Sequence, residues 1–262
     1  MSRSLRIAAA DLLLLLDREA LFTRRWRLSP AASQRDRLEA EQMLITLWQQ
    51  TNRQKLWQPK ARISIDPARR EGDAIAVGLL GQDKERPGRN QNAEKRKANA
   101  EVPEISDFAF QFSDFCFRSD RPVQCVETIR LDFSAELVRQ IVKRHGDKIF
   151  LVGFQVVTIG DRVADYCQEL ARHGKVQEQF LIHGLAAELT EALAELTQRR
   201  IQEKAGWPKA RRISPGYPSW PELSEQRKLF RFVEPERIGV TLTETFQMVP
   251  EYSTSAVVIP GL

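Results

Sequence analysis

The chain has 262 residues, 42% of them hydrophobic, and a net charge of +5 from 40 Lys and Arg against 35 Asp and Glu. This composition excludes a disordered or fibrous protein and indicates a globular one with enough apolar side chains for a substantial core. The charge is uneven, because residues 1–100 hold 20 basic and 12 acidic side chains whereas residues 101–262 hold 20 and 23.

The first segment superficially resembles a signal peptide. Residues 3–16, RSLRIAAADLLLLL, place two arginines before an apolar run. Asp11 interrupts that run, which is shorter than the ~20 residues of a membrane span, and no small-residue cleavage site follows. We therefore predict a buried helix here, and a second helix from Ser29 and Pro30 to about Leu56.

A hairpin and a loop are predicted next. Residues 61–80 hold two β-like runs around a turn containing Pro67 and Gly72. Residues 81–101 have almost no large apolar side chain, which predicts a mobile basic loop. In residues 108–117, FAFQFSDFCF, aromatic residues alternate with smaller ones as in a strand, which Asp114 interrupts.

The sequence of the second half of the chain predicts three helices and further strands. A helix capped by Ser134 should end near Gly146, a helix after residue 160 should end at Gly174, and the longest helix should run from about Val176 to Lys204. Residues 148–160 suit a central strand, and residues 237–250 and 253–261 suit a hairpin around Pro250. The predicted fold class is α+β: one domain, 1–262, with a largely antiparallel sheet flanked by helices.

The residues offer no conventional catalytic or metal-binding apparatus. The chain contains no Gly-rich phosphate loop, HExxH or GxSxG motif. Its three histidines are isolated, and its three cysteines (Cys116, Cys125 and Cys167) form no CxxC pair, so a disulfide framework or a zinc site is disfavoured. We assign no catalytic or metal-binding residue and expect a reducing cytoplasm as the compartment.

Three residues remain as candidate ligand-binding groups: Asp114, Arg212 and Tyr217. Arg212 and Tyr217 both belong to the segment RRISPGYPSWP, residues 211–221, with Arg212 before its rigid turn and Tyr217 inside it. A carboxylate can pair with an ammonium group, a guanidinium grips a carboxylate with two hydrogen bonds, and an aromatic ring packs against a base. The alternative is a proline-stiffened connection with an exposed arginine.

Several long blocks resemble, in the same order, the activation domain of cobalamin-dependent methionine synthase. They are FSDFCF, GFQVVTIGDRVADYCQELARHGKVQEQFLIHGLAAELTEALAE, ARRISPGYPSWPELSEQRKLF and ERIGVTLTETFQMVPEYSTSAVVI. The resemblance implies that the domain binds S-adenosylmethionine. By the family's pattern, Asp114 would meet the methionine amino group and Arg212 its carboxylate, while Gly216 and Tyr217 would shape the pocket.

The resemblance also implies partners and a role. In the family, a flavodoxin-like or other reductase reduces inactive cobalamin while S-adenosylmethionine supplies a methyl group. This chain has no Asp-x-His-x-x-Gly cobalamin signature, and it stops at Leu262, before the tyrosine-containing segment with which the family continues. We therefore expect an accessory part of a methyltransferase, with cobalamin held by a partner.

Another function class is open: a non-catalytic scaffold whose basic first hundred residues dock an acidic redox partner or a corrinoid protein. Nucleic acid is disfavoured as a partner because the basic residues are scattered and no nucleic-acid-binding motif accompanies them. No membrane partner is expected.

Overall fold

A computed structural model of the chain describes residues 2–80 and 125–262, in which the strands form one large and one small antiparallel sheet. In chain order the strands are β1 (Arg3–Arg6), β2 (Lys60–Glu71), β3 (Ala74–Leu80), β4 (Cys125–Leu131), β5 (Phe150–Thr158), β6 (Ala210–Ile213), β7 (Thr241–Leu242), β8 (Met248–Val249) and β9 (Ser253–Pro260). The large sheet has the order β4-β3-β2-β5-β9-β6, with β1 also paired to β2, and β7 pairs with β8.

Helices cover both faces of the large sheet. They are α1 (Ala9–Leu15), α2 (Arg18–Ala20) with a π-helical turn (Leu21–Arg25), α3 (Gln34–Arg53), α4 (Ala135–His145), α5 (Arg162–Arg172), α6 (Val176–Ala205) and α7 (Gln226–Val233). The α+β fold with an antiparallel sheet flanked by helices is confirmed. None of these helices combines the length and apolarity needed to cross a bilayer.

The central strand β5 separates two cores, and every one of its residues is buried. Phe154 stacks on Phe232 of α7 with ring centroids 4.2 Å apart, so this side of the sheet is called the α7 face. The next residue, Gln155, points to the other side and donates to Ala194 O of α6, so that side is called the α6 face. Burial on both faces explains the continuous apolar run that predicted a central strand.

Two predicted helix starts were wrong. Residues 3–6 form a strand that pairs with β2, and the helix begins only at Ala9. The next helix begins at Gln34, because Ser33 and Asp36 form a reciprocal capping box that Ser29 and Pro30 do not provide.

Both predicted hairpins also differ in detail. Pro67 lies inside β2, opposite Leu151 of β5. On the other edge of β2 it falls between the segment that pairs with β1 and the segment that pairs with β3, so its missing N–H costs no bond to β1 or β3. The turn of the hairpin is at Gly72, whose φ is +64°. Residues 241–249 contain a hairpin of their own, whereas β9 pairs with β5 and β6, which suits its five consecutive buried residues, 255–259. The predicted loop 81–101 and strand 108–117 lie outside the described residues.

Candidate functional site

The candidate site lies at the edge of the large sheet, where strand β6 directs Arg212 toward α6. Along β6 the side chains alternate, so Ile213 is buried in the core of the α7 face while Arg212 points to the opposite side. Arg212 is opposite Val258 of β9. Because β6 is an edge strand, the guanidinium is held by the sheet but remains reachable from solvent.

Arg212 forms an ion pair with Glu191 of α6. The distance from Arg212 Nη2 to Glu191 Oε2 is 2.5 Å, and the two side chains are 25% and 44% exposed. The second terminal nitrogen of the guanidinium, Nη1, is buried and has no hydrogen-bond partner in the described part of the chain. The arginine therefore keeps unused donor capacity at this position.

The turn after β6 is stiff and anchored in the core. Gly216 has a φ of +85°, and its N–H donates to Trp220 O at 2.8 Å. A β-carbon at Gly216 would lie 3.2 Å from Leu223 Cδ1, so this position suits glycine in both conformation and space. Trp220 is fully buried and packs edge-on against Phe133, with centroids 4.8 Å apart. The turn is thus fixed by its buried tryptophan.

Between the turn and α6 lies a groove with a volume of about 490 Å³, called the turn groove. Its lining includes Glu191, Arg211, Arg212, Ser214, Tyr217, Ser219 and Thr254. Tyr217 is 65% exposed, so its ring is available to a ligand. A groove lined by two arginines, several hydroxyl groups and an open aromatic ring can hold a molecule that combines a carboxylate, hydroxyls and a planar base.

On the other side of the Arg212–Glu191 pair lies a second, more acidic groove of about 360 Å³. Asp17, Glu188 and Glu195 line it together with the ion pair. These carboxylates already have partners: Glu188 pairs with Arg25, Glu195 pairs with Arg199, and Asp17 accepts from Ala20 N. The turn groove is therefore the better ligand-binding candidate.

The comparisons with known proteins assign the chain to a family. Residues 31–261 match the family model described as vitamin B12 dependent methionine synthase, activation domain. The chain belongs to this family. The matched range of this activation domain includes Glu191, Arg212 and the whole Gly216 turn, so the turn groove lies within the family region.

Two curated relatives agree with this assignment. The methionine synthase of Mycobacterium tuberculosis (strain ATCC 25618 / H37Rv) is 34% identical over 142 residues, which are 46% of this chain and 12% of the relative. The methionine synthase of Mycobacterium leprae (strain TN) is 34% identical over 134 residues, 43% of this chain and 11% of the relative. The matched part of the activation domain is thus a small fraction of these enzymes.

A solved structure shares the fold. A crystal structure of the MetH reactivation domain bound to AdoHcy superimposes with a TM-score of 0.65 at 18% identity, covering 99% of this chain and 78% of that one. At this identity the match supports the fold of the activation domain.

Of the four sequence-predicted site residues, Arg212, Gly216 and Tyr217 lie in one strand-and-turn unit beside the turn groove. Asp114 lies outside the described residues, so its approach to Arg212 stays a prediction. Sequence reasoning missed Glu191. A signal was present, since Glu188, Glu191 and Glu195 recur at helical spacing in the longest predicted helix and form a carboxylate stripe on one side of it.

The histidines have structural contacts. His145 stacks on Phe150 and bonds to Pro260 O at 3.0 Å, and burial lowers the pKa of its imidazole. His183 bonds to the hydroxyl of Tyr252 at 2.9 Å. No group of three or more potential metal ligands occurs in residues 2–80 and 125–262.

Proposed function

We propose that this activation domain binds S-adenosylmethionine in the turn groove and presents it to cobalamin carried by a partner module of methionine synthase. The methionine carboxylate is placed on Arg212 and the adenosine beside Tyr217. The observation that carries the proposal is the position of Arg212: a guanidinium that is 25% exposed at the wall of a groove that also holds an exposed ring.

The turn groove suits the ligand's chemistry. The methionine carboxylate matches the planar fork of Arg212. The ribose hydroxyls match the side-chain hydroxyls of Ser214, Ser219 and Thr254, and the adenine offers a flat face to Tyr217. The groove volume of about 490 Å³ is within the range of small-molecule sites.

The task of the chain is positioning. Cobalamin on a partner would supply the nucleophilic cobalt, and the ligand's sulfonium already carries an activated methyl group, so the domain needs no acid or base at this step. The stiff turn and the sheet edge hold the ligand while α6 forms the opposite wall. Rigid support of this kind limits the motion that would misalign the methyl group.

Ligand binding must involve Glu191, because its carboxylate occupies Arg212 Nη2. A bound carboxylate either replaces Glu191 or shares the guanidinium, which has five N–H donors in all. The ligand's ammonium group requires an acceptor, and we propose Asp114 for that role on the family's pattern.

Titration calorimetry with S-adenosylmethionine tests the proposal. Arg212→Met should weaken binding at least tenfold, because it removes a charge-assisted pair. Arg200→Met is the matched control, since Arg200 is 60% exposed and pairs with Glu203 away from the groove. Absence of saturable binding by the wild-type chain, or equal effects of the two substitutions, would refute the proposed site.

The partners belong to the same proposal: a cobalamin-binding module of methionine synthase and an acidic, flavodoxin-like reductase. In a mixture of this chain, the cobalamin module, a reductant and S-adenosylmethionine, the absorption spectrum should change to that of methylcobalamin, and Arg212→Met should slow the change. Omitting the chain is the control, and an equal rate without it would contradict the proposal.

The scaffold alternative has less support. Several basic side chains of the first part are neutralised by pairing within the chain, as Arg18 is with Glu41 and Arg37 with Glu19. A pure docking role predicts salt-sensitive binding of the acidic partner that Arg212→Met leaves intact and no affinity for S-adenosylmethionine.

A further inference from the structure

Two buried polar atoms on the α6 face, Gln155 Oε1 and Arg212 Nη1, have no hydrogen-bond partner among the described residues. Buried polar atoms are nearly always paired, so each exception requires an explanation. One of these atoms is an acceptor and the other is a donor, which makes them chemically complementary.

The orientation of the Gln155 amide is fixed by its other bond. Its nitrogen lies 3.1 Å from Ala194 O, and a backbone carbonyl can only accept. The nitrogen therefore faces α6 and the free atom is the oxygen. Gln155 is fully buried, so this oxygen is not satisfied by bulk solvent.

The strand register brings the two side chains toward the same place. On β9, Gln155 is opposite Ala256 and Arg212 is opposite Val258, which are successive positions on the α6 face. Ala256 contributes only a methyl group between them. Both side chains also reach the same turn of α6, since their partners Ala194 and Glu191 are three residues apart.

We propose that Gln155 is a positioning residue for Arg212, resting on the S-adenosylmethionine site proposed above. Gln155 Oε1 accepts from Arg212 Nη1, through one bound water or after a small rotation of the guanidinium, and so holds the inner side of the guanidinium. The outer side is then directed to the ligand carboxylate. Gln155 itself does not contact the ligand.

The test compares the affinities of two ligands for variants at two glutamine positions. Gln155→Met removes the acceptor at similar volume and should weaken S-adenosylmethionine binding about tenfold. Decarboxylated S-adenosylmethionine, which lacks the group that Arg212 holds, should bind the variant and the wild type equally. The matched control is Gln226→Met: Gln226 is also buried, but it lies on the α7 face and bonds to Phe246 O and Ser255 Oγ.

A double-mutant cycle separates positioning from general packing. In the Arg212→Met background, Gln155→Met should cause no further loss of affinity, because the group it positions is gone. Equal losses for both ligands, an unchanged affinity of Gln155→Met, or additive effects in the cycle would overturn the inference.

The outcomes also separate this inference from the proposed function. No binding by the wild-type chain overturns both, whereas normal wild-type binding with an unaffected Gln155→Met variant overturns the inference alone. If Gln155→Met does not fold, a crystal structure of the wild-type chain with S-adenosylmethionine decides. Gln155 Oε1 bonded to Arg212 directly or through one water supports the inference, and any other arrangement refutes it.

Discussion

Ile201 of α6 occupies the space above Gly153 of β5 that a side chain would otherwise fill. A β-carbon at Gly153 would lie 2.5 Å from Ile201 Cγ2, and Ile201 is fully buried. The absence of a side chain in the central strand therefore lets α6 lie close to the sheet. The same helix carries Glu191, which pairs with Arg212.

Gly153→Ala should destabilise the fold by about 1–3 kcal/mol, because the added methyl group overpacks a rigid β-branched neighbour. Denaturant unfolding would measure the loss. In the Ile201→Ala background the same substitution should cost much less, since the clashing Cγ2 atom is absent. Equal costs in the two backgrounds would show that the contact does not limit the approach of α6.

Gly216→Ala should cost more stability than Gly72→Ala. Both glycines have positive φ, +85° and +64°, so each substitution carries about 1–2 kcal/mol of backbone strain. Only Gly216 also has a close neighbour, Leu223 Cδ1 at 3.2 Å, whereas nothing lies within 4 Å at Gly72. Thermal unfolding and calorimetry should show a larger loss, together with weaker S-adenosylmethionine binding, for Gly216→Ala. An unchanged ligand affinity in that variant would count against the turn as part of the site.

The sequence predicts elements well where local signals agree with tertiary packing. Ser134 caps α4 as expected, and α6 runs to Ala205 and ends at Gly206 in the left-handed conformation. Prediction from the sequence fails where strands pair over a long distance along the chain. Strand β9 pairs with β5, almost a hundred residues away, whereas the sequence favours pairing of β9 with the nearer run at residues 241–249, which in fact pairs with itself.

The candidate site also combines features with local sequence signals and features set by long-range packing. Arg212 and the turn are visible in the sequence because proline, glycine and tryptophan are concentrated in one segment. Gln155 becomes recognisable only when β5, β6 and α6 are assembled, since it belongs to no local motif. The helical spacing of Glu191 is visible in the sequence, but its pairing with Arg212 is not. Long-range register, not residue type, decides which polar groups face Arg212.

Asp66 should make stability fall as pH rises from about 4 to about 6. Burial raises the pKa of its carboxyl to about 6 in the folded chain, from an unfolded value of 3.8. The folded state therefore holds the proton more strongly, so stability is greatest below the unfolded pKa and is lost as the pH passes the folded one. The shift corresponds to roughly 3 kcal/mol.

Asp66→Asn should remove this contribution and be the more stable protein at pH 7, with little difference at pH 4. Urea unfolding of the wild type and of Asp66→Asn between pH 4 and pH 7 measures the difference in their free energies of unfolding. Asp147→Asn is the control, because the Asp147 side chain is 86% exposed. A difference between wild type and Asp66→Asn that does not grow from pH 4 to pH 6 would contradict the assignment of Asp66 as the group responsible.

Arg25→Met and Arg35→Met remove the same positive charge from two ion pairs that differ in burial. Arg25 Nε lies 3.1 Å from Glu188, whose side chain is only 10% exposed, whereas Arg35 and Glu39 are 86% and 60% exposed. Loss of Arg25 leaves a nearly buried carboxylate without its counter-ion, which should cost about 1–3 kcal/mol. Loss of Arg35 should cost no more than about 0.5 kcal/mol, since water solvates the exposed Glu39.

Denaturant unfolding at neutral pH measures the loss of unfolding free energy in both variants, and Glu188→Gln in the Arg25→Met background should recover part of the loss. Equal costs for the two arginines would mean that the Glu188 carboxylate is solvated despite its position under the π-helical turn.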